Sequence, residues 1–300
     1  MSVVVLSKAE LHVHLEGSIF LETLQEIDRS ITAEEFQLRM RHGNFAEFLE
    51  GYKWVTTRLR TAQHYALATR NLLERLEAQD VSYVEITLSA GVVLWKQQDL
   101  AAVYEAVWRE SQKSRVRAFW ILDAIRHMGA DPAWPVVRFA AERSGEGVVA
   151  FGIGGDEVRG PAEWFSEMFQ YARDQGLHLV AHAGETAGPE SIWAALAIGA
   201  ERIGHGTSAV NDPRLLDELK TRNIPLEVCL TSNVCTGVVA CLEQHPVRRA
   251  YDAGVPITIN TDDPAFFETS LNREYEIAQR LFGLDAEELA ANARRFAFAF

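Results

Sequence analysis

The sequence predicts an α/β fold, a (β/α)8 barrel of the TIM type, built as one domain over residues 1–300 with a helical insertion after the first strand. Three observations lead there. Eight short apolar runs recur along the chain, each followed by a helical pattern, as a parallel sheet buried on both faces requires. Composition permits a large core, because 48% of the 300 residues are hydrophobic and no Pro/Gly/Ser-rich linker or single-sign charge run divides them. Four short polar words stand at the ends of these runs, where barrels of this kind build their sites.

In chain order, the opening apolar residues read as the approach to a strand, without the basic segment or cleavage site of a signal peptide. Strands are expected over 9–14, 82–87, 117–124, 148–153, 178–182, 202–205, 226–230 and 257–261. Helical patterns occupy 100–114, 162–175, 191–198, 213–222 and 246–252, several of them stopped by Gly176, Gly199 and Gly254. The stretch from about 18 to 80 is too long for an ordinary connection and holds three or four helices, including 45–57 and 62–78. After the first strand of a barrel such an insertion lies over the C-terminal face, so it is expected to be a lid or pocket wall. Phe45, Phe48, Tyr52 and Trp54 are its candidate apolar contacts.

Bulk properties exclude several roles. A net charge of -13, spread along the chain, argues against a nucleic-acid partner, which needs a basic face. No stretch reaches the ~18 apolar residues of a membrane span. Cys229, Cys235 and Cys241 fit neither a disulfide framework nor a C-x-x-C metal site, so reduced thiols in a cytoplasmic protein are expected.

The four words are His12-Val13-His14, His182-Ala183-Gly184-Glu185, Gly204-His205-Gly206 and Asp262-Asp263-Pro264. His12 and His14 lie two apart on one strand, so both imidazoles leave the same face. With His182 and Asp262 they make three nitrogens and a carboxylate, a set that suits one zinc ion with a position open for water. The fourth strand ends Phe151-Gly-Ile-Gly-Gly155 without a lysine to bridge a second ion, so a single metal is expected. His42, His64, His127, His178 and His245 belong to no such cluster and are not expected to be ligands.

Residues that are not ligands suggest the reaction. Glu185 lies on the loop three residues beyond His182, placed to exchange a proton with a bound substrate. His205 can hold or deprotonate a water whose pKa an ion lowers from about 16 to about 7. Asp263 points away from its neighbour Asp262, toward the substrate. Gly154 and Gly155 leave the fourth strand end bare, so a flat ring can approach the backbone. Gly152-x-Gly154-Gly155 lacks the third glycine of a dinucleotide fingerprint.

Together, Ser7-Lys-Ala-Glu-Leu-His-Val-His-Leu-Glu-Gly17, His182-Ala-Gly-Glu185, Arg202-Ile-Gly-His-Gly206 and Asn260-Thr-Asp-Asp-Pro264 resemble the adenosine deaminase family of the amidohydrolase superfamily, over nearly the whole chain. The resemblance implies a single-zinc barrel that hydrolyses the exocyclic amine of a 6-aminopurine nucleoside to ammonia and the 6-oxopurine. It implies His12, His14, His182 and Asp262 as zinc ligands, with Asp262 counted among the catalytic groups beside Glu185 and His205. Glu185 would protonate N1, and His205 would orient and deprotonate the water. Asp263 would bond N7, the backbone of Gly155 would meet N3, and His14 and Glu16 would also border the substrate.

Two positions depart from the usual pattern. Adenosine-specific members usually carry Asp where Glu16 stands, and Glu there is similar to relatives acting on free adenine or modified nucleosides. Gly154-Gly-Asp-Glu157 looks instead like the nucleoside enzymes. A nucleoside altered on its 5′ side, such as 6-amino-6-deoxyfutalosine, reconciles the two; adenine is the alternative. Adenosine monophosphate is disfavoured, because no Lys/Arg cluster stands beside the motifs. Glu85-Ile-Thr87 replaces a common Glu-x-Arg and touches only a local pairing. A barrel hydrolase of another amine, or a non-catalytic purine-binding barrel, are the competing classes.

Overall fold

Eight parallel strands follow one another around a barrel in sequence order, in a computed structural model that describes residues 7–300. The expectation for the opening concerns residues 1–8, of which 1–6 lie outside the described residues and Lys8 opens the first strand. The strands are β1 Lys8–His14, β2 Val81–Leu88, β3 Arg117–Ile125, β4 Val148–Gly154, β5 His178–Ala183, β6 Arg202–His205, β7 Leu226–Val228 and β8 Ile257–Ile259. The seam between the last strand and the first is stitched at the mouth. His14 N–H donates to Asp262 O at 2.8 Å, and Asp262 N–H donates to His12 O at 3.0 Å.

β7 and β8 are shorter than the apolar runs that predicted them. Leu230 opens a helix, Leu230–Cys235, although Val228-Cys229-Leu230 continues the run. Periodicity alone does not separate a buried strand from a buried helical turn, and all of these residues are buried. The helices otherwise follow the expected stretches, except that 162–175 divides into a 3-10 turn, Ala162–Phe165, and a helix, Ser166–Asp174. Four helices occupy the insertion, Leu21–Ile27, Ala33–Met40, Phe45–Thr56 and Ala62–Glu77.

The floor of the barrel explains how the strand ends are held. Arg202 reaches inward from β6, 2.6 Å from Glu85 of β2 and 2.6 Å from Glu227 of β7. The Phe298 ring lies 3.8 Å from this guanidinium and stacks on His178 at 4.1 Å. Phe298 N–H donates to Glu85 Oε1 at 2.6 Å, so the final residues cover the lower opening. Glu85 therefore finds its cation on β6, which accounts for Thr87 standing free of that duty. Buried ions of this kind need every partner, because an unpaired charge at this depth costs several kcal/mol. Among the described residues no helix is long and apolar enough to cross a membrane, and all three cysteines are free.

Candidate active site

At the mouth, His12, His14, His182 and Asp262 each offer one donor atom, all within 4.8 Å of one another. His12 Nε2 and His14 Nε2 both stand 3.3 Å from Asp262 Oδ1, and His14 Nε2 is 3.2 Å from His182 Nε2. All four are buried. The far nitrogens of two rings are already committed. His12 Nδ1–H donates to Glu227 Oε2 at 2.8 Å, and His182 Nδ1–H donates to Ile153 O at 3.1 Å. That leaves a lone pair on each Nε2 turned into the cluster, the arrangement of a ligating histidine backed by a carboxylate or carbonyl.

His12 Nε2 has no hydrogen-bond partner although it is buried, and a divalent ion answers that deficit. Burial alone would raise Asp262, but the imidazoles of His12 and His14 beside it hold its carboxyl well below the usual range. A second grouping, His205, Cys229 and Asp262, shares that aspartate. Burial and then the Asp262 charge push the Cys229 thiol well up, so it is a poor ligand.

The surroundings of Glu185 favour its protonated form. Burial first, then the charges of Asp262 and Glu157, push its carboxyl well above the ordinary range. Its loop is held by Glu157, whose carboxylate accepts from Gly184 N at 2.8 Å, Glu185 N at 2.9 Å and Thr186 N at 2.7 Å. Facing it, His205 Nε2 lies 3.7 Å from Glu185 Oε2 and 3.9 Å from Asp262 Oδ2. His205 and Asp262 both hold left-handed backbone angles, φ 63 and 65. Such strain in non-glycine residues concentrates at functional sites, where neighbours over-determine it.

A cavity of about 370 Å³ opens above these groups, within the range of small-molecule sites. His14, Gly154, Gly155, His182, Glu185, His205, Asp262 and Asp263 line it, so most of the expected residues meet at one cavity. Asp263 is buried, its Oδ1 has no partner, and burial followed by the Asp262 charge raises its carboxyl well above normal. Gly17 makes room for it, since a Cβ there would stand 1.6 Å from Asp263 Oδ1.

Glu16 is not brought to the cavity wall. It turns behind Tyr52 and Ser89, accepting from Tyr52 Oη at 3.2 Å and Ser89 N at 3.2 Å, and these two residues line the cavity in its place. Burial raises its carboxyl to about 7. On the insertion helix Phe45–Thr56, Phe45, Phe48 and Tyr52 reach the cavity together with Leu49, Lys53 and Thr56. Trp54 does not. Two positions from Tyr52 puts it on another face of the helix, where it is buried under Arg58 at 4.8 Å.

Several participants escaped the sequence reading. Lys53 and Arg159 come from distant segments to line the same cavity. Asp123, at the end of β3, lines the cavity with its carboxyl raised to about 8 by burial. Ser232 donates to Asp262 Oδ2 at 2.6 Å, and Asn233 bonds His205 at 3.0 Å. The polar run Thr231-Ser-Asn233 after β7 was the available signal.

The barrel and its buried His/Asp cluster define a metal-dependent hydrolase of the amidohydrolase type. Residues 7–299 match the family model described as adenosine deaminase, and the chain belongs to that family. It is 40% identical to the aminodeoxyfutalosine deaminase of Streptomyces avermitilis over 304 residues, covering 96% of this chain and 85% of that one. It is 36% identical to the adenine deaminase of Rhizobium johnstonii over 298 residues, covering 96% of this chain and 92% of that one. The adenine deaminase of Arthrobacter aurescens superposes with a TM-score of 0.91 at 28% identity, covering 99% and 95% of the two chains. The enzyme is thus a metal-dependent deaminase of adenine-type compounds.

Proposed function

We propose that this enzyme hydrolyses a 6-aminopurine nucleoside extended on its 5′ side, 6-amino-6-deoxyfutalosine above adenosine, with one zinc ion held by His12, His14, His182 and Asp262. When bound, the ion supplies the Lewis acidity that turns water into a nucleophile at neutral pH. The remaining work belongs to the chain. Glu185, protonated by its burial, delivers a proton to N1 as C6 loses aromaticity. Asp263 donates to N7 from its raised carboxyl, and Gly155 presents its backbone to N3. His205 holds the attacking water against C6, and the apolar wall of Phe45, Phe48 and Leu49 excludes bulk solvent. Three free cysteines support a reducing compartment, the cytoplasm.

The observation that carries the choice of nucleoside is the cationic rim. Lys53 and Arg159, both exposed, line the same cavity as Gly155 and His182. Arg159 lines the cavity together with His127, whose imidazole is lowered first by burial and then by the Arg159 charge. A free base offers nothing to these cations, whereas the benzoate at the end of the futalosine arm does. The adenine reading is favoured by the name of the Rhizobium johnstonii relative. Ammonia release from adenosine, deoxyadenosine, adenine, adenosine monophosphate and 6-amino-6-deoxyfutalosine, with the metal removed and zinc restored, tests both. Adenine or adenosine turning over far faster than 6-amino-6-deoxyfutalosine would overturn the proposal.

A further inference from the structure

Behind His205 runs a buried chain of hydrogen bonds that reaches a backbone amide. Val247 N–H donates to His245 Nδ1 at 3.1 Å. His245 Nε2 meets Asn233 Oδ1 at 3.1 Å, and Asn233 Nδ2 meets His205 Nδ1 at 3.0 Å. Asn233 is 0% exposed, His205 2% and His245 5%.

The chain has one consistent direction. A backbone N–H cannot reverse, so His245 Nδ1 is the lone-pair nitrogen and its hydrogen sits on Nε2. Burial, and then the neighbouring His205, hold His245 down to about 3, so it stays neutral. Its Nε2–H needs an acceptor, which fixes the Asn233 amide with oxygen toward His245 and nitrogen toward His205. The amide hydrogen then occupies the His205 Nδ1 lone pair. His205 accordingly carries its own hydrogen on Nε2, the nitrogen that faces Glu185 and Asp262. The opposite tautomer would set two N–H donors head-on at 3.0 Å.

We propose that Asn233 and His245 are positioning residues that lock His205 as an Nε2–H donor toward the reaction centre. His205 then orients the oxygen nucleophile and stabilises charge developing on it, and it does not take the proton of the water. That is an orienting role in place of the base role that the family resemblance gave His205. This inference rests on the deaminase reading of the site.

The test is imidazole 15N NMR on histidine-labelled, metal-loaded enzyme, with the His205 signals assigned by their loss in His205→Asn. The wild-type enzyme should show the Nε2–H pattern for both His205 and His245. Asn233→Asp is nearly isosteric but accepts from both rings, so it should move His205 to Nδ1–H. It should lower kcat by at least about 100-fold, the scale of a lost oxyanion donor or a wrong tautomer, with KM within about twofold. An Nδ1–H pattern at His205 in the wild type overturns the proposal, as does wild-type kcat in a variant whose tautomer has changed. The wild-type spectrum decides even where the variant does not fold. It needs no substrate, so failure of every purine in the assay panel would sink the deaminase reading and leave the tautomer standing.

Discussion

Glu227→Gln exchanges one oxygen for an amide nitrogen beneath His12, and its consequences follow from two donors that share the carboxylate. His12 Nδ1 lies 2.8 Å from Oε2, and Arg202 Nε lies 2.6 Å from Oε1. A glutamine has a single oxygen, and the charged guanidinium takes it. The NH2 group then faces His12 Nδ1, and relief comes only if His12 shifts its hydrogen to Nε2, into the ligand cluster. Loss of a carboxylate behind a ligating histidine costs about 10–100-fold in metal affinity, or ~1.4–2.7 kcal/mol. Turning the second counter-charge of Arg202 into a neutral amide, with Glu85 still paired to it, adds about 1–3 kcal/mol of lost stability. At roughly 1.6 °C per kcal/mol for a chain of 300 residues, Tm should fall by about 2–5 °C. Competition with a chromophoric chelator measures the first effect, and calorimetry in excess metal measures the second. A variant that binds metal within about twofold of wild type would refute the reasoning, whatever happens to its Tm.

Glu185→Gln keeps the shape of the acid but removes its proton, so kcat should fall by about 10²–10⁴ while a 6-oxopurine product still binds and metal content is unchanged; retained turnover removes the acid role. His245 is neutral in the fold, lowered to about 3 from 6.5, so its stabilising contribution is complete above 6.5 and is lost as pH falls toward 3. Between pH 6.5 and 5, denaturant unfolding should show about 2 kcal/mol of pH-dependent loss that His245→Gln abolishes, and parallel profiles for the two proteins would contradict this. Gly17→Ala drives a methyl to 1.6 Å from Asp263 Oδ1, so substrate affinity should weaken in a still-folded barrel, read as a raised KM with unchanged far-UV dichroism.

How far the site was legible depended on sequence adjacency. His12 and His14 announce themselves by a spacing of two on one strand, and Glu185 by its place just past His182. Glu16 was legible as a residue but not as a direction. The 3-10 turn Glu16–Ser18 carries its carboxylate to the β2 side, behind Tyr52 and Ser89. Trp54 was grouped with its aromatic neighbours by composition, and only the helix phase separated it from Tyr52. Lys53 and Arg159 lie over a hundred positions apart, so no local pattern could show them sharing a rim.

The chain by itself determined the barrel, because eight apolar runs with helical partners have few other ways to bury both sheet faces. It also determined the identities of the donors at the strand ends, since strand periodicity settles which side chains emerge together. Tertiary structure alone decided the electrostatic state of those donors. Protonation and tautomer depend on what stands behind each ring or carboxyl, and those partners arrive from elsewhere: Glu227 from β7 for His12, Ile153 O from β4 for His182, and Asn233 with His245 for His205. Hydrogen bonds and burial are three-dimensional quantities with no fixed spacing along a chain.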